Sequence, residues 1–415
     1  MKRQQAYKFR LKLNGAQQRQ LGQFAGTVRK VWNTALALQK DRYDAGEKKL
    51  SYAGLCRELT RWRNDPSTPW MKETSVDCQQ QVLKDLDRAY TNFFAKRADF
   101  PRFKKKGQRD SFRFPQPRSI KLDQSNSRIS LPKLGWLRYI NSRQIEGTLR
   151  NVTLSLKAGH WYVSVQTERD VEQPRTASQT AVGIDMGVVR FATLWDGQSE
   201  TVITPINSFK THQLRLAKAQ RQMSRKQKFS RNWSKARARV SRIHHQIANA
   251  RNDFLHNASH RLSKNHALLC VEALQIKNMS RSGQGTLEQP GRNVNAKSGL
   301  NRAILDQGWG EFVRQLDYKC SWNGAWLVKV PAMNTSRECP GCGYTHAANR
   351  PSQSVFVCGA CGHTDNADKV ASQNIRARGL KLFEGPDMAR IACPVNGEVM
   401  PSATGTRRSD LAAVA

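Results

Sequence analysis

Three acidic residues end or open apolar segments of this chain, and four cysteines fall in two close pairs. Asp185 closes Val182-Gly183-Ile184-Asp185, and Gly187 behind it permits a tight turn. Glu272 closes Ala267-Leu268-Leu269-Cys270-Val271-Glu272, and Asp368 precedes the helix-compatible Val370-Ala371-Ser372-Gln373-Asn374-Ile375. If these segments bring the carboxylates together, the pocket is costly in a low-dielectric core unless cations neutralise it. Magnesium suits it, being hard, octahedral and held by few carboxylates plus waters and substrate phosphates. Two such ions ~3.5–4 Å apart activate water and stabilise the leaving oxygen of a phosphodiester. Two further aspartates read as structural: Asp196-Gly197 as a turn and Asp365 as a helix cap.

Cys339-Pro340-Gly341-Cys342-Gly343 and Cys358-Gly359-Ala360-Cys361-Gly362 are separated by 15 residues. Each CxxC-G is a tight turn that aims backbone N–H groups at sulfur, and two of them make the four-thiolate zinc-ribbon pattern. One structural Zn²⁺ is expected on Cys339, Cys342, Cys358 and Cys361. The Met1 to Lys8 stretch has no apolar signal-peptide core, so a reducing cytosol is expected, where paired cysteines bind metal.

The rest of the composition supplies a substrate class for such acids. The chain has 415 residues with 69 Lys and Arg against 32 Asp and Glu, a formal charge of +37. That charge invites polyanions, nucleic acid first. No stretch approaches the ~18 apolar residues of a membrane span. Between 208 and 264 there are 15 basic residues against one acidic, Asp253. Neighbours in such a run repel without a partner, so Arg215, Lys218, Arg221, Arg225 and Lys226 are expected to meet phosphates. From Phe100 to Phe114 four Phe interleave with Arg102, Lys104, Lys105, Lys106 and Arg113, a pattern for phosphate contact and base stacking. Phe112 and Phe114 read instead as core.

Several elements must position these groups. Tyr7 to Leu13 alternates basic and apolar residues, a strand that presents Lys8 and Arg10 on one face. Residues 15–97 have helical spacing, with Leu21, Phe24, Val28, Val31, Trp32, Ala35 and Leu38 on one side. Residues 98–176 carry short alternating runs punctuated by Pro, Gly and Asn, which read as an antiparallel barrel-like β domain. If the first strand joins it, the helical block is an insertion. After a linker near 171–180, an α/β pattern runs to about 380, with long helices over 208–264. The stretch from Gly283 to Gly299 reads as a mobile loop, and residues 381–415 as a poorly ordered tail.

Taken in order, these features resemble the TnpB family, the transposon-encoded RNA-guided nucleases related to type V CRISPR effectors. The resemblance rests on Gly183-Ile184-Asp185-Met186-Gly187, the basic helical stretch, Val271-Glu272, the four-cysteine ribbon and Asp368 opening a helix with Asn374-Ile375. Tyr7-Lys8-Phe9-Arg10-Leu11, Phe103-Lys104-Lys105-Lys106, Trp161-Tyr162-Val163-Ser164, Leu316-Asp317-Tyr318-Lys319 and Thr335-Ser336-Arg337-Glu338-Cys339 also match, over roughly residues 5–380. It implies a multidomain chain of α/β, all-β and α parts. A wedge β-barrel (1–14 and 98–176) holds a helical recognition domain (15–97). An RNase H-like RuvC nuclease domain (177–335 and 365–380) holds the zinc ribbon (336–364). It implies that Asp185, Glu272 and Asp368 are catalytic ligands of two Mg²⁺. The partners are a guide RNA from the transposon end and double-stranded target DNA beside a short motif, one chain per RNA, in a prokaryotic cytoplasm at the nucleoid. Val370, Ser372 and Ala273 depart from residues frequent in the family. The rival readings are a non-cleaving repressor and a transposase that uses the same acids for strand transfer.

Overall fold

A computed structural model describes residues 1–286 and 288–384, in two compact units that divide between Val171 and Glu172. The first unit opens with strand β1 (Lys2–Lys12), then helices α1 (Gly15–Asp44), α2 (Tyr52–Asn64) and α3 (Val76–Phe94). Six strands follow: β2 (Ser111–Phe114), β3 (Lys121–Asp123), β4 (Arg128–Leu131), β5 (Gly135–Tyr139), β6 (Thr148–Lys157) and β7 (His160–Asp170). They form an antiparallel sheet in the order β2-β6-β7-β1-β5-β4-β3. The alternation in β1 sets its faces: Tyr7, Phe9 and Leu11 are buried, Lys8 and Arg10 exposed. Helix α1 starts at a capping box in which Asn14 and Gln17 satisfy each other's backbone N–H. Its Leu21, Phe24, Val28, Val31, Trp32 and Ala35 are buried in one core with Phe112 and Phe114 of β2.

The second unit contains β8 (Ala181–Asp185), β9 (Ala192–Trp195), β10 (Glu200–Ile203), α4 (Ser208–Ser224), α5 (Arg231–Asn265), β11 (Leu268–Glu272), α6 (Ile276–Met279), α7 (Val294–Gln307), α8 (Trp309–Asn323) and β12 (Trp326–Val330). Two short strands, β13 (Val355–Val357) and β14 (Thr364–Asn366), lead into α9 (Ala367–Glu384). The sheet order is β10-β9-β8-β11-β12, with β8, β11 and β12 parallel. Both faces of the parallel strands are covered, which explains their apolar runs. Val182, Ile184, Leu269 and Val271 pack with Leu255 and Leu262 of α5 and Phe312 and Leu316 of α8. Ala181, Leu268 and Cys270 pack with Ile375, Leu380 and Phe383 of α9 on the other face.

Two glycines fix the α9 contact. A Cβ at Gly183 would lie 2.0 Å from the Ser372 carbonyl oxygen, and one at Gly379 would lie 2.1 Å from Cys270 Sγ. Helix and strands therefore touch backbone to backbone at one point and backbone to side chain at another.

Several sequence expectations need correction. The strands of the first unit form an open hydrogen-bonded order ending in β2 and β3, so the described residues do not close a barrel. The stretch after Gly283 is shorter than expected as a loop, because α7 begins at Val294 and takes its last six residues. Helix α9 runs to Glu384, so 381–384 are helical; the remainder of the expected tail lies outside the described residues. The helical spacing of 208–264 would also place Leu214 in the packing, but it is 86% exposed, while Leu216 and Ala219 fill the α4–α5 seam.

Gly183→Ala should destabilise the protein by roughly 1–3 kcal/mol or more, since backbone must move to admit the methyl group. Gly299→Ala, inside α7 with nothing within 4 Å of the new Cβ, should be neutral or stabilising by up to ~1 kcal/mol. Thermal or denaturant unfolding of the two variants checks the contrast.

Candidate active site and metal centre

Strand alternation decides where the acids point. On β8, residues 182 and 184 face α5 and α8, so 181, 183 and 185 face α9. On β11 the same parity sends 268, 270 and 272 toward α9. The strands run parallel with Val271 opposite Ile184, so Glu272 and Asp185 are the next residues at the same end and on the same face. Helix α9 brings Asp368 in its first turn, where the helix dipole favours a carboxylate. Asn366 Oδ1 accepts the Asp368 N–H at 3.0 Å and caps the helix. Asp365, expected in that role, instead forms an ion pair with Lys369 at 2.7 Å. Asp196 is a turn residue, accepting the N–H groups of Gln198 and Ser199.

The electrostatics show that the three acids share one region. Burial, then Glu272, then Asp368 push the Asp185 carboxyl up to about 8, against weaker opposing effects of Arg350 and the Met186 N–H. Burial also raises Glu272, opposed by a hydrogen bond from Thr335 and the charges of Arg378 and Arg350. Arg350 lies 3.9 Å from Asp368 and belongs to the loop between the two cysteine pairs. Thr335 donates its hydroxyl to Glu272 Oε1. Its segment is held by α9: Asn374 donates to the carbonyls of Thr335 and Glu338, each at 2.8 Å, and Arg378 to those of Pro331 and Met333. The sequence reading missed Thr335, Arg350 and Arg378, because their roles depend on loops closing onto α9. Such a set of hard oxygen donors, carrying more negative charge than burial tolerates, fits a divalent cation.

The cysteines are closer together. One ligand atom from each of Cys339, Cys342, Cys358 and Cys361 lies within 4.8 Å of the others, the one such group among the described residues. Sγ–Sγ distances of 3.6 Å join Cys339 to Cys361 and Cys342 to Cys358. Tetrahedral zinc with Zn–S of ~2.3 Å needs about 3.8 Å between sulfurs, so the donor set fits zinc. The N–H groups of Cys361 and Ala360 push the Cys358 thiol down, while the neighbouring sulfurs push Cys342 and Cys361 up. Val370 is fully buried in a small core with Phe356, Ala367, Cys339 and Cys358, so it joins the ribbon to the start of α9. Ala273 is exposed and donates its N–H to Val330.

The expected nucleic-acid contacts fall in several places. Lys8, Thr153 and Arg113 stand in one row across β1, β7, β6 and β2, on the polar face opposite the core. Arg10 shares that face and pairs with His160 at 2.9 Å. Lys157, which the sequence reading did not single out, lies close enough to Lys8 to help burial push that ammonium down to about 8. Arg113 is half-buried and donates to Thr153, a contact within the sheet. Arg102, Lys104, Lys105 and Lys106 are exposed, although Lys104 Nζ sits 3.9 Å from the centre of the Trp32 ring. Arg215, Lys218, Arg221, Arg225 and Lys226 are all exposed on α4 and just beyond it, while Leu216, Ala219, Val240, Ile243 and Ile247 close the hairpin beneath.

Family models match three stretches: "Probable transposase" over 163–283, "Cas12f1-like, TNB domain" over 309–375 and "Helix-turn-helix domain" over 1–48. The last stretch is a strand and one long helix in this structure. The chain is 50% identical over 398 residues to "Putative RNA-guided DNA endonuclease InsQ" of Escherichia coli (strain K12), covering 96% of this chain and 98% of that protein. It is 33% identical over 384 residues to a "Putative RNA-guided DNA endonuclease" of Streptomyces pristinaespiralis, covering 90% and 89%. Among solved structures, a Cas12f1–sgRNA–target DNA complex matches with a TM-score of 0.51 at 11% identity, over 86% of this chain and 81% of that one. That likeness concerns the fold.

Two outcomes are expected. In metal-free protein the raised Asp185 carboxyl keeps its proton in the folded state up to about pH 8, whereas the unfolded chain loses it near 3.8. Stability is therefore full below about pH 4 with respect to this group and falls as pH rises toward 8, by about 1.4 kcal/mol per unit at most. Asp185→Asn should flatten that slope in urea titrations with chelator. Separately, metal analysis should find about one zinc per chain, and Cys339→Ser should lower it.

Proposed function

The chain belongs to the TnpB family, and on that premise we propose that it is a transposon-encoded RNA-guided DNA endonuclease with RuvC chemistry. The observation that carries this reading is the placement of Asp185 and Glu272 at one end and on one face of paired parallel strands, with Asp368 opposite them. In this reading the unit from Glu172 onward is the nuclease domain with its ribbon. The first unit is the wedge, with α1–α3 as a recognition insertion.

Asp185, Glu272 and Asp368 would hold Mg²⁺. When bound, two such ions supply water activation and stabilise the leaving oxygen of the phosphodiester. The chain's own groups prepare the site. Thr335 fixes one Glu272 oxygen and leaves the other free. Arg350 offsets the mutual repulsion of the carboxylates and brings positive charge to where a phosphate would lie. The exposed cations of α4 supply a surface for nucleic-acid backbone, and the polar face of the first unit's sheet supplies another. Base pairing with a guide RNA then reads sequence, and the protein need hold only backbone and a short adjacent motif on the target DNA. Such a protein works at the nucleoid, and no helix among the described residues is long and apolar enough to cross a membrane.

A non-cleaving repressor would not need the buried acid cluster, which lowers folded stability without a cation. A transposase would join strands. With copurifying RNA and matching target DNA, Asp185→Ala should abolish Mg²⁺-dependent cleavage, by 10³-fold or more, while RNA binding persists. Uncut DNA with the unmodified protein would favour the repressor, joined products the transposase, and undiminished cutting by the variant would refute the assigned site.

A further inference from the structure

The recognition helices carry a cavity of about 580 Å³ that no function above uses. Its walls are the end of α1 (Lys40, Tyr43, Asp44), the end of α3 (Tyr90, Phe93, Phe94) and Phe100. That volume is in the range of small-ligand sites, ~300–1,000 Å³. The rings are not simply core. Tyr43 is 82% exposed, Phe94 67% and Phe100 38%. Phe93 and Tyr90 meet Phe100 edge-on at 5.2 and 5.6 Å, and Phe94 lies nearly parallel to Tyr90 at 6.2 Å, so the set is braced while its outer faces stay open.

The frame is fixed from both sides. Buried Gln39 exchanges two hydrogen bonds with the backbone of Leu50, at 2.8 and 2.9 Å, and pins the loop after α1. Asn33 does the same for Lys104, and Trp32 Nε1 donates to the Arg102 carbonyl, which straps the segment after Phe100 along α1. The strap presents Arg102, Lys104, Lys105 and Lys106, and Lys40 Nζ stands 5.5 and 5.1 Å from the Phe100 and Phe103 ring centres. Open aromatic faces beside a row of cations suit a base and its phosphates. One carboxylate adds a discriminator. Asp44 sits at the α1 C-terminus, where the helix dipole disfavours it, whereas Glu47 in the same cavity is ion-paired with Arg42 at 2.6 Å. Carboxylates only accept hydrogen bonds, and a ribose 2′-hydroxyl is a donor that deoxyribose lacks.

We propose that this cavity binds an unpaired ribonucleotide of the guide RNA, its base stacked on Tyr43 and Phe94 and its sugar facing Asp44. The inference rests on the RNA-guided reading. The test uses the full chain freed of copurifying RNA, with a short single-stranded RNA, the same sequence as DNA, and a duplex RNA as probes. Tyr43→Ala/Phe94→Ala should weaken single-stranded RNA binding about tenfold or more, the effect of losing one stacked base. Its salt dependence and its duplex binding should stay unchanged, because no phosphate contact is lost. Both side chains are largely exposed, so thermal unfolding should not move, and Phe94→Trp should retain the affinity. Single-stranded RNA binding equal to that of the unmodified chain would overturn the proposal. So would an equal loss for single-stranded DNA, or a parallel loss for duplex. An unmodified chain that binds none of the RNAs would instead sink the RNA-guided reading itself.

Discussion

The second unit depends on how closely α9 approaches the sheet. Ser372 and Cys270 occupy the space that side chains at Gly183 and Gly379 would need. That proximity lets one helix do several jobs. It covers the face of the sheet with Ile375, Leu380 and Phe383, and it delivers Asp368 to the ends of β8 and β11. Through Asn374 and Arg378 it also grips the segment that carries Thr335 to Glu272. Arg376 adds a hydrogen bond to the Ala181 carbonyl at 3.0 Å, at the opposite end of β8 from Asp185. A shift of α9 would displace Asp368 relative to Asp185 and Glu272, because those two ride on paired strands and the third on the helix.

A strongly cationic chain thus keeps a small anionic core. Among the described residues many of its acids form ion pairs, such as Asp123 with Arg128 and Glu311 with Arg314. Burial raises two of the three central ones, Asp185 and Glu272, while Arg350, 3.9 Å from Asp368, and Arg378 soften the repulsion. Active sites concentrate such unfavourable arrangements, since a group poised by its surroundings is available for chemistry. The ribbon takes part in this arrangement, because Arg350 comes from the loop between its knuckles and Val370 joins its core to α9.

Much of this was legible in the residues. The alternation of β1, the helical face of α1 and the parity that puts Asp185 beyond Ile184 all follow from period two or 3.6. The cysteine spacing carried its own geometry. Other features were not legible, for physical reasons. Arg350 reads as one more cation in a loop, and only the fold shows which carboxylate it meets. Tyr43 and Phe94 read as ordinary helix residues, since their exposure is set by where α1 and α3 end. The barrel expectation missed the short β3 and could not see that β2 and β3 finish the sheet order without pairing to each other. Asp365 and Asn366 are adjacent and both able to cap, and only the turn from β14 into α9 selects between them.

The order of these acids along the polypeptide has a consequence for biosynthesis. Asp185 and Glu272 leave the ribosome well before Asp368, and the β8–β11 pairing can form without α9. Contacts so distant in sequence form late. A nascent or truncated chain ending before the ribbon would already hold its cationic helices and its first unit. Under the proposed assignment such a chain lacks the third carboxylate, so cutting would wait until translation has passed α9.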